Sequence, residues 1–236
     1  MNNERHIIWF SCGIASMITA KIVLEKIPKA EMVYCDTGGE HNDNKRIIED
    51  FEVFSKKRIT ILKSKYKDHF DVFEKTRYLN GIAGARCTVE LKKRLRFDYQ
   101  KANDIQYFGF TKDEKKRAQR FQKSFPEINV KFPLIELELS KKDCIKELSE
   151  IGIKLPKMYL LGFNNNNCIG CVKGGKGYWN KIRLEFLDVF ERMSKIERSL
   201  DHSCINGKFL DELKPNEGKH KDFIISCGFD CNSLPI

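Results

Sequence analysis

No run of apolar residues in this chain approaches the roughly 20 that a membrane-spanning helix needs, so no membrane role is expected. The opening Met1-Asn2-Asn3-Glu4-Arg5 lacks the basic start and long apolar stretch of a secretory signal, which predicts a cytoplasmic protein. Internal repeats are missing, and apart from the four asparagines 164–167 there is no low-complexity tract. A hydrophobic fraction of 41% over 236 residues is ordinary for a chain with a proper core, so disorder is not expected. Acidic residues are short relative to basic ones, 33 against 43, giving a net charge of +10. That sign favours anionic partners: nucleotides, phosphosulfates, or a nucleic acid such as tRNA or DNA. A lysine-rich solvated surface would have the same composition, so charge alone does not choose. Neither G-x-x-x-x-G-K-[ST] nor G-x-G-x-x-G occurs where a strand meets a helix, which argues against a Walker A loop and a dinucleotide fingerprint.

Cysteine, in contrast, is plentiful. There are nine, an odd number that fits a disulfide framework poorly. Cys168 and Cys171 form a C-x-x-C between asparagines and glycines that suit tight turns, and Cys227 and Cys231 follow near the C-terminus. Two thiols at this spacing can face one ion or cluster; a redox dithiol and inert thiols are the alternatives. Cys168, Cys171, Cys227 and Cys231 alone would make a Cys₄ zinc set.

Apolar runs and helical periodicities alternate along the first two thirds of the chain. Strands are expected at 6–10, 30–35, 59–62, 105–110 and around 130–132, and helices at 17–27, 44–54, 70–79, 88–99, 113–123 and 141–151, the last capped by Ser140. Strand–helix alternation implies an α/β fold with a parallel sheet and helices on both faces. Residues 178–200 read as one long amphipathic helix, and Asn206-Gly207 suits a type I′ hairpin turn. The expected division is 1–163, a nucleotide-binding α/β domain, and 164–236, a small cysteine-rich helical region.

In an open parallel sheet, ligands sit where strands end and helices begin. Three loops fall there. The first runs from Ser11 through Gly13 to Ser16, the second contains Asp36, Thr37 and Gly38, and the third runs from Gly109 to Glu114 with Arg117 one turn on. Asp36, a charge ending an apolar strand, is expected to bind a ligand or accept hydrogen bonds. His41 reads as an exposed loop histidine, Tyr178 and Trp179 as core anchors, and Cys35 and Cys144 as packing residues.

The three loops together resemble a known family. Ser11-Cys12-Gly13-Ile14-Ala15-Ser16 is similar to the PP-loop S-G-G-x-D-S, Tyr34-Cys35-Asp36-Thr37-Gly38 to Y-x-D-T-G, and the stretch from Gly109 to Arg117 to G-x-R-x-x-E-x-x-R. The order and spacing, from residue 6 to about residue 183, resemble those of the phosphoadenosine phosphosulfate (PAPS) reductase family within the adenine nucleotide alpha hydrolase-like superfamily. Arg86-Cys87-Thr88 followed by Leu91-Lys92-Lys93 resembles its iron-sulfur branch, in which a C-x-x-C follows after about eighty residues; Cys168 stands 81 residues after Cys87. The segment from Ser226 to Cys231 faintly resembles the terminal E-C-G-L-H of the reductases. Cys12, Ala15, Thr88, Thr111, Ser226 and Asp230 depart from the family pattern.

The resemblance implies a five-stranded parallel Rossmann-like sheet and an adenine nucleotide, ATP or PAPS, with magnesium as its candidate companion. It implies sulfur chemistry with Cys227 as the nucleophile and Lys92 and Arg117 neutralising developing charge. It also implies a [4Fe-4S] cluster on Cys87, Cys168, Cys171 and a terminal cysteine, Cys231 or Cys227. Partners expected on this reading are a thioredoxin-like reductant, a nucleic acid if sulfur is inserted into one, and a second copy in a homodimer. Besides sulfonucleotide reduction, two other readings stand: an ATP pyrophosphatase that modifies a nucleic acid, and a catalytically silent nucleotide-binding module with a structural metal.

Overall fold

The computed structural model describes residues 4–82, 84–219 and 225. In chain order the elements begin with β1 (His6–Phe10), α1 (Ile14–Lys26), β2 (Glu31–Asp36), α2 (Asn44–Ser55), β3 (Ile59–Lys63) and α3 (His69–Thr76). A small antiparallel hairpin follows, β4 (Asn80–Gly81) with β5 (Gly84–Ala85), then α4 (Arg86–Thr88), a π-helical turn (Val89–Lys93) and α5 (Arg94–Tyr99). The rest comprises β6 (Ile105–Tyr107), α6 (Lys115–Ser124), β7 (Asn129–Lys131), α7 (Pro133–Glu136), α8 (Lys141–Glu150), α9 (Lys157–Leu160), α10 (Lys176–Glu185) and α11 (Leu187–Leu200). The chain divides into two compact units, one formed by 1–35, 42–62 and 96–161, the other by 36–41, 63–95 and 162–236.

The first unit is built on a five-stranded parallel sheet of order β3-β2-β1-β6-β7, flanked by helices. Successive side chains of a strand point to opposite faces, and β1 shows the consequence. Ile8 and Phe10 enter the cluster made with Ile14, Met17 and Ile18 of α1 and Cys144 and Leu148 of α8. Trp9, on the other side, stacks near Phe108 and meets Tyr99 edge-on. Helix α1 is buried almost all round rather than along one stripe, as expected for a helix enclosed by other elements. Beyond β6, Phe108, Phe121 and Phe132 pack as a ring cluster. Arg96, fully buried, lies 4.7 Å from the Phe97 and Phe125 ring centres; burial lowers its pKa to about 10.

The five expected strands are present, and Ser140 caps α8 through a reciprocal capping box with Asp143. The strand expected at 105–110 is shorter, because the chain leaves the sheet after Tyr107. The helix expected at 88–99 starts at Arg86 and contains the π turn.

In the second unit the helix expected at 178–200 is two helices. Phe186 leaves helical geometry at φ −146°, ψ 65° and divides α10 from α11. Its ring packs against Phe163 and His41, and this tertiary packing overrides the helical periodicity on either side. The Asn206-Gly207 turn closes a single antiparallel bridge between Ile205 and Lys208. Only Gly207 has positive φ, so the turn is not type I′.

Candidate functional site

The sheet order fixes where the first unit can hold a ligand. From β1 the chain adds β2 and β3 towards one edge of the parallel sheet, then β6 and β7 towards the other, so the order of strand addition reverses between β1 and β6. At such a switch point the loops after two neighbouring strands diverge and leave a crevice at their carboxyl ends. The loops after β1 and β6 are the first and third loops singled out in the sequence.

After β1 the chain turns sharply. Cys12 takes φ +54°, a left-handed conformation that costs a non-glycine residue roughly 1–2 kcal/mol, at the position where the PP-loop pattern has glycine. Its side chain is fully buried. Ser16 folds back over the turn: its hydroxyl accepts from the Ser11 amide at 3.0 Å and donates to the Gly13 carbonyl at 2.8 Å. Gly13 precedes α1 with extended backbone and no side-chain cap, so no cap side chain competes for the first amides of the helix. An anion can use such amides, helped by the helix dipole.

The loop after β6 closes on this turn. A Cβ at Gly109 would lie 2.7 Å from the Ser16 amide nitrogen and 2.8 Å from the Ala15 carbonyl carbon, so only glycine lets the two loops touch. Glu114 accepts from the Thr111 amide at 3.1 Å and is bonded by Arg117, whose guanidinium lies 4.3 Å from the centre of the Phe110 ring. Ser11, Gly13, Ser16, Gly109, Glu114 and Arg117 therefore belong to two strand-to-helix connections at one end of one sheet, Ser16 and Arg117 in the first turn of the helix that follows each.

Sequence reasoning missed Lys141. It is the first residue of α8, where the helix dipole disfavours a cation, and it is half-buried. Burial pushes its pKa down, and the nearby Glu114 opposes that shift. Its ammonium lies 5.1 Å from the centre of the Tyr159 ring, and the Tyr159 hydroxyl would be 3.6 Å from a Cβ at Gly13. A partly desolvated cation near the turn suits an anion. A lysine beside Ser140 in sequence looks like an ordinary solvated first turn, so no pattern marked it.

The remaining predicted residues lie in the second unit. Asp36 accepts from the Gly38 amide at 2.9 Å, fulfilling the hydrogen-bonding expectation. Gly38 has φ +65°, and a Cβ there would collide with the Lys67 carbonyl oxygen at 1.8 Å. Thr37 is buried, with its hydroxyl 3.1 Å from the Cys168 sulfur. Lys92, in the π turn, reaches Glu40 at 3.4 Å with both side chains largely buried. Glu90, fully buried in the same turn, takes Arg86 at 2.6 Å and Arg94 at 2.5 Å, so two arginines flank the segment that carries Cys87. π-helical turns of this kind are frequent at functional sites.

Cys168 and Cys171 are both buried on a turn organised by one phenol. The Tyr178 hydroxyl accepts from the amides of Gly170 and Cys171, each at 3.0 Å, and donates to the Cys168 carbonyl at 3.2 Å. Burial drives its pKa well above the ordinary tyrosine value, so it remains the neutral donor this arrangement needs. Asn165 and Asn167 both donate to the Ile225 carbonyl, at 2.9 and 3.3 Å, tying a point of the C-terminal segment to the cysteine loop. His69 is buried beside Gly39 and stacks on Phe70 at 4.0 Å. The Ile169 and Gly170 backbone faces the ring, but neither ring nitrogen makes a hydrogen bond of normal geometry to a described residue. Tyr178 and Trp179 are core residues as expected, and burial pushes the Cys144 thiol up to about 12. His41 is half-buried rather than exposed.

Neither a family model nor a curated protein matches the chain. The chemical reading therefore rests on these residues.

Cys87 is partly exposed in α4. Among the described residues no three His, Cys, Asp or Glu side chains are gathered as a metal site; Cys227 and Cys231 lie outside the described residues. The donors that are described fit thiolate ligation in kind: a buried C-x-x-C on a preformed turn, and a third cysteine in a segment flanked by two arginines.

Proposed function

We propose that this protein is a PAPS reductase-like enzyme that binds an adenine nucleotide in its first unit and carries out sulfur chemistry. The observation that carries the reading is the reversal of strand order between β1 and β6, with an uncapped helix entry at Gly13 and the Gly109 backbone closed against it. The amides at the start of α1 take phosphate oxygens, and Lys141 and Arg117 balance their charge. Ser16 holds the turn in shape.

In the second unit, Cys87, Cys168, Cys171 and Cys231 would hold a [4Fe-4S] cluster, with zinc on the four later cysteines as the alternative. When bound, such a cluster would supply electron-accepting capacity. Tyr178 holds the backbone of the turn that carries the two thiols, and Glu40 holds Lys92 in place. In the sulfonucleotide reaction, the Cys227 thiolate attacks the sulfonate sulfur, an S–S bond forms, and the S–O bond to the nucleotide breaks with the electron pair leaving on phosphate. A thioredoxin-like dithiol then releases sulfite and is oxidised to its disulfide.

The test uses anaerobically purified protein. Sulfite released from PAPS or adenylyl sulfate with thioredoxin or glutathione, abolished by Cys227→Ser, supports the proposal. Pyrophosphate released from ATP in response to tRNA or DNA replaces it with the nucleic-acid-modifying reading, and neither product leaves a silent binding module.

A further inference from the structure

Helix α6 is the exception among the longer helices. Of the described helices with eight residues or more, it alone contains no acidic residue. Between residues 112 and 131 there are seven Lys or Arg and three Asp or Glu, so 7 − 3 = +4 of the net +10 falls in this stretch.

The cations are divided by face. Lys115 pairs with Glu138 at 2.5 Å, and Arg117 is bonded to Glu114. Lys116, Arg120 and Lys123 recur at i, i+4 and i+7, which places them on one stripe, and all three are exposed. None of the three makes an ion pair with a described residue. Some exposed lysines of other helices meet acids one turn away, as Lys75 does with Asp71 and Lys146 with Glu150. Like charges at i, i+4 cost a helix a few tenths of a kcal/mol, and α6 accepts that cost between Lys116 and Arg120. Ala118 and Phe121 anchor its opposite face in the core, so the stripe is presented rigidly. Gln119 and Gln122 beside it are exposed and add neutral donors.

We propose that this face of α6 holds the phosphate backbone of a nucleic acid. Seven residues of helix place Lys116 and Lys123 about 10 Å apart, and at about 3.4 Å of axial rise per nucleotide that distance covers roughly three phosphates of one strand. An extended polyanion engages all three cations, whereas a compact one does not. The proposal goes beyond nucleotide binding at the turn after β1 and does not depend on it.

The experiment is fluorescence anisotropy on the full chain, with labelled duplex DNA and hairpin RNA of equal length as separate probes, across a KCl series. The triple variant Lys116→Gln, Arg120→Gln, Lys123→Gln is compared with a charge-matched variant, Lys26→Gln, Lys56→Gln, Lys195→Gln. The proposal expects the α6 variant to bind at least about tenfold more weakly, with the log–log salt slope for DNA reduced by about 2.7, near 0.9 per lost phosphate contact. The charge-matched variant keeps the parent affinity. Preference for one probe identifies the nucleic acid. Equal weakening in both variants, or no binding of either probe by the parent, overturns the proposal. ATP affinity measured on the α6 variant separates this failure from failure of the nucleotide site.

Discussion

The Thr37 hydroxyl lies 3.1 Å from the Cys168 sulfur, and both residues are buried. The residue directly after β2 thus holds the first thiol of the C-x-x-C. Thr37→Val keeps the shape and removes the hydrogen bond, which is worth about 0.5–1.5 kcal/mol. Urea denaturation should show a loss of that size, with Thr37→Ser close to the parent. A valine variant as stable as the parent would remove this contact from the account.

Gly109→Ala places a methyl carbon against backbone atoms of Ala15 and Ser16 that have no rotamer with which to yield. A loss of roughly 1–3 kcal/mol is expected from overpacking of this kind, together with at least about tenfold weaker ATP binding. Gly13→Ala is the matched control for the fold, because its Cβ would meet Ser11 and Tyr159 only at 3.4 and 3.6 Å. If Gly109→Ala binds ATP as the parent does, the two loops do not act together.

Lys141→Met keeps most of the aliphatic stem and removes the charge. Calorimetry should show ATP affinity reduced by about tenfold, or about 1.4 kcal/mol, with the unfolding midpoint preserved. A shift in the midpoint with unchanged affinity would make Lys141 structural.

His69 gives the fold a pH dependence whose sign follows from its burial. Desolvation lowers its pKa from 6.5 to about 4, with Asp68 opposing and Arg192 adding to the shift. Unfolded chains therefore bind a proton that the folded protein refuses between these values, and stability falls as pH drops from about 6.5 to about 4. The full loss is about 3 kcal/mol. Chemical denaturation at a series of pH values should show the slope in this window, and His69→Phe should flatten it. An unchanged slope in the variant would assign the acid sensitivity elsewhere.

Much of the fold could be read because its signals are local. The run Ile7-Ile8-Trp9-Phe10 followed by Ser11 to Gly13 declares a buried strand and a turn, and similar punctuation marks β2, β3 and α8. The helix break at Phe186 depends on Phe163 and His41, which are distant in sequence, so periodicity passed over it. The positive φ at Cys12 was hidden because a cysteine in the left-handed region carries no sequence signature. Lys141 and the Tyr178 clamp on the C-x-x-C are likewise products of packing between segments far apart in the chain. Their residue types suggest a solvated lysine and a core aromatic.

Nucleotide binding at the turn after β1 is tested by isothermal titration of ATP, and separately PAPS, into the anaerobically purified chain and its Gly13→Val variant. Saturable binding of at least one nucleotide by the parent, and at least about tenfold weaker binding by the variant, are the expected results. No heat of binding from either nucleotide with folded parent protein, or equal affinity in parent and variant, would contradict binding at this turn.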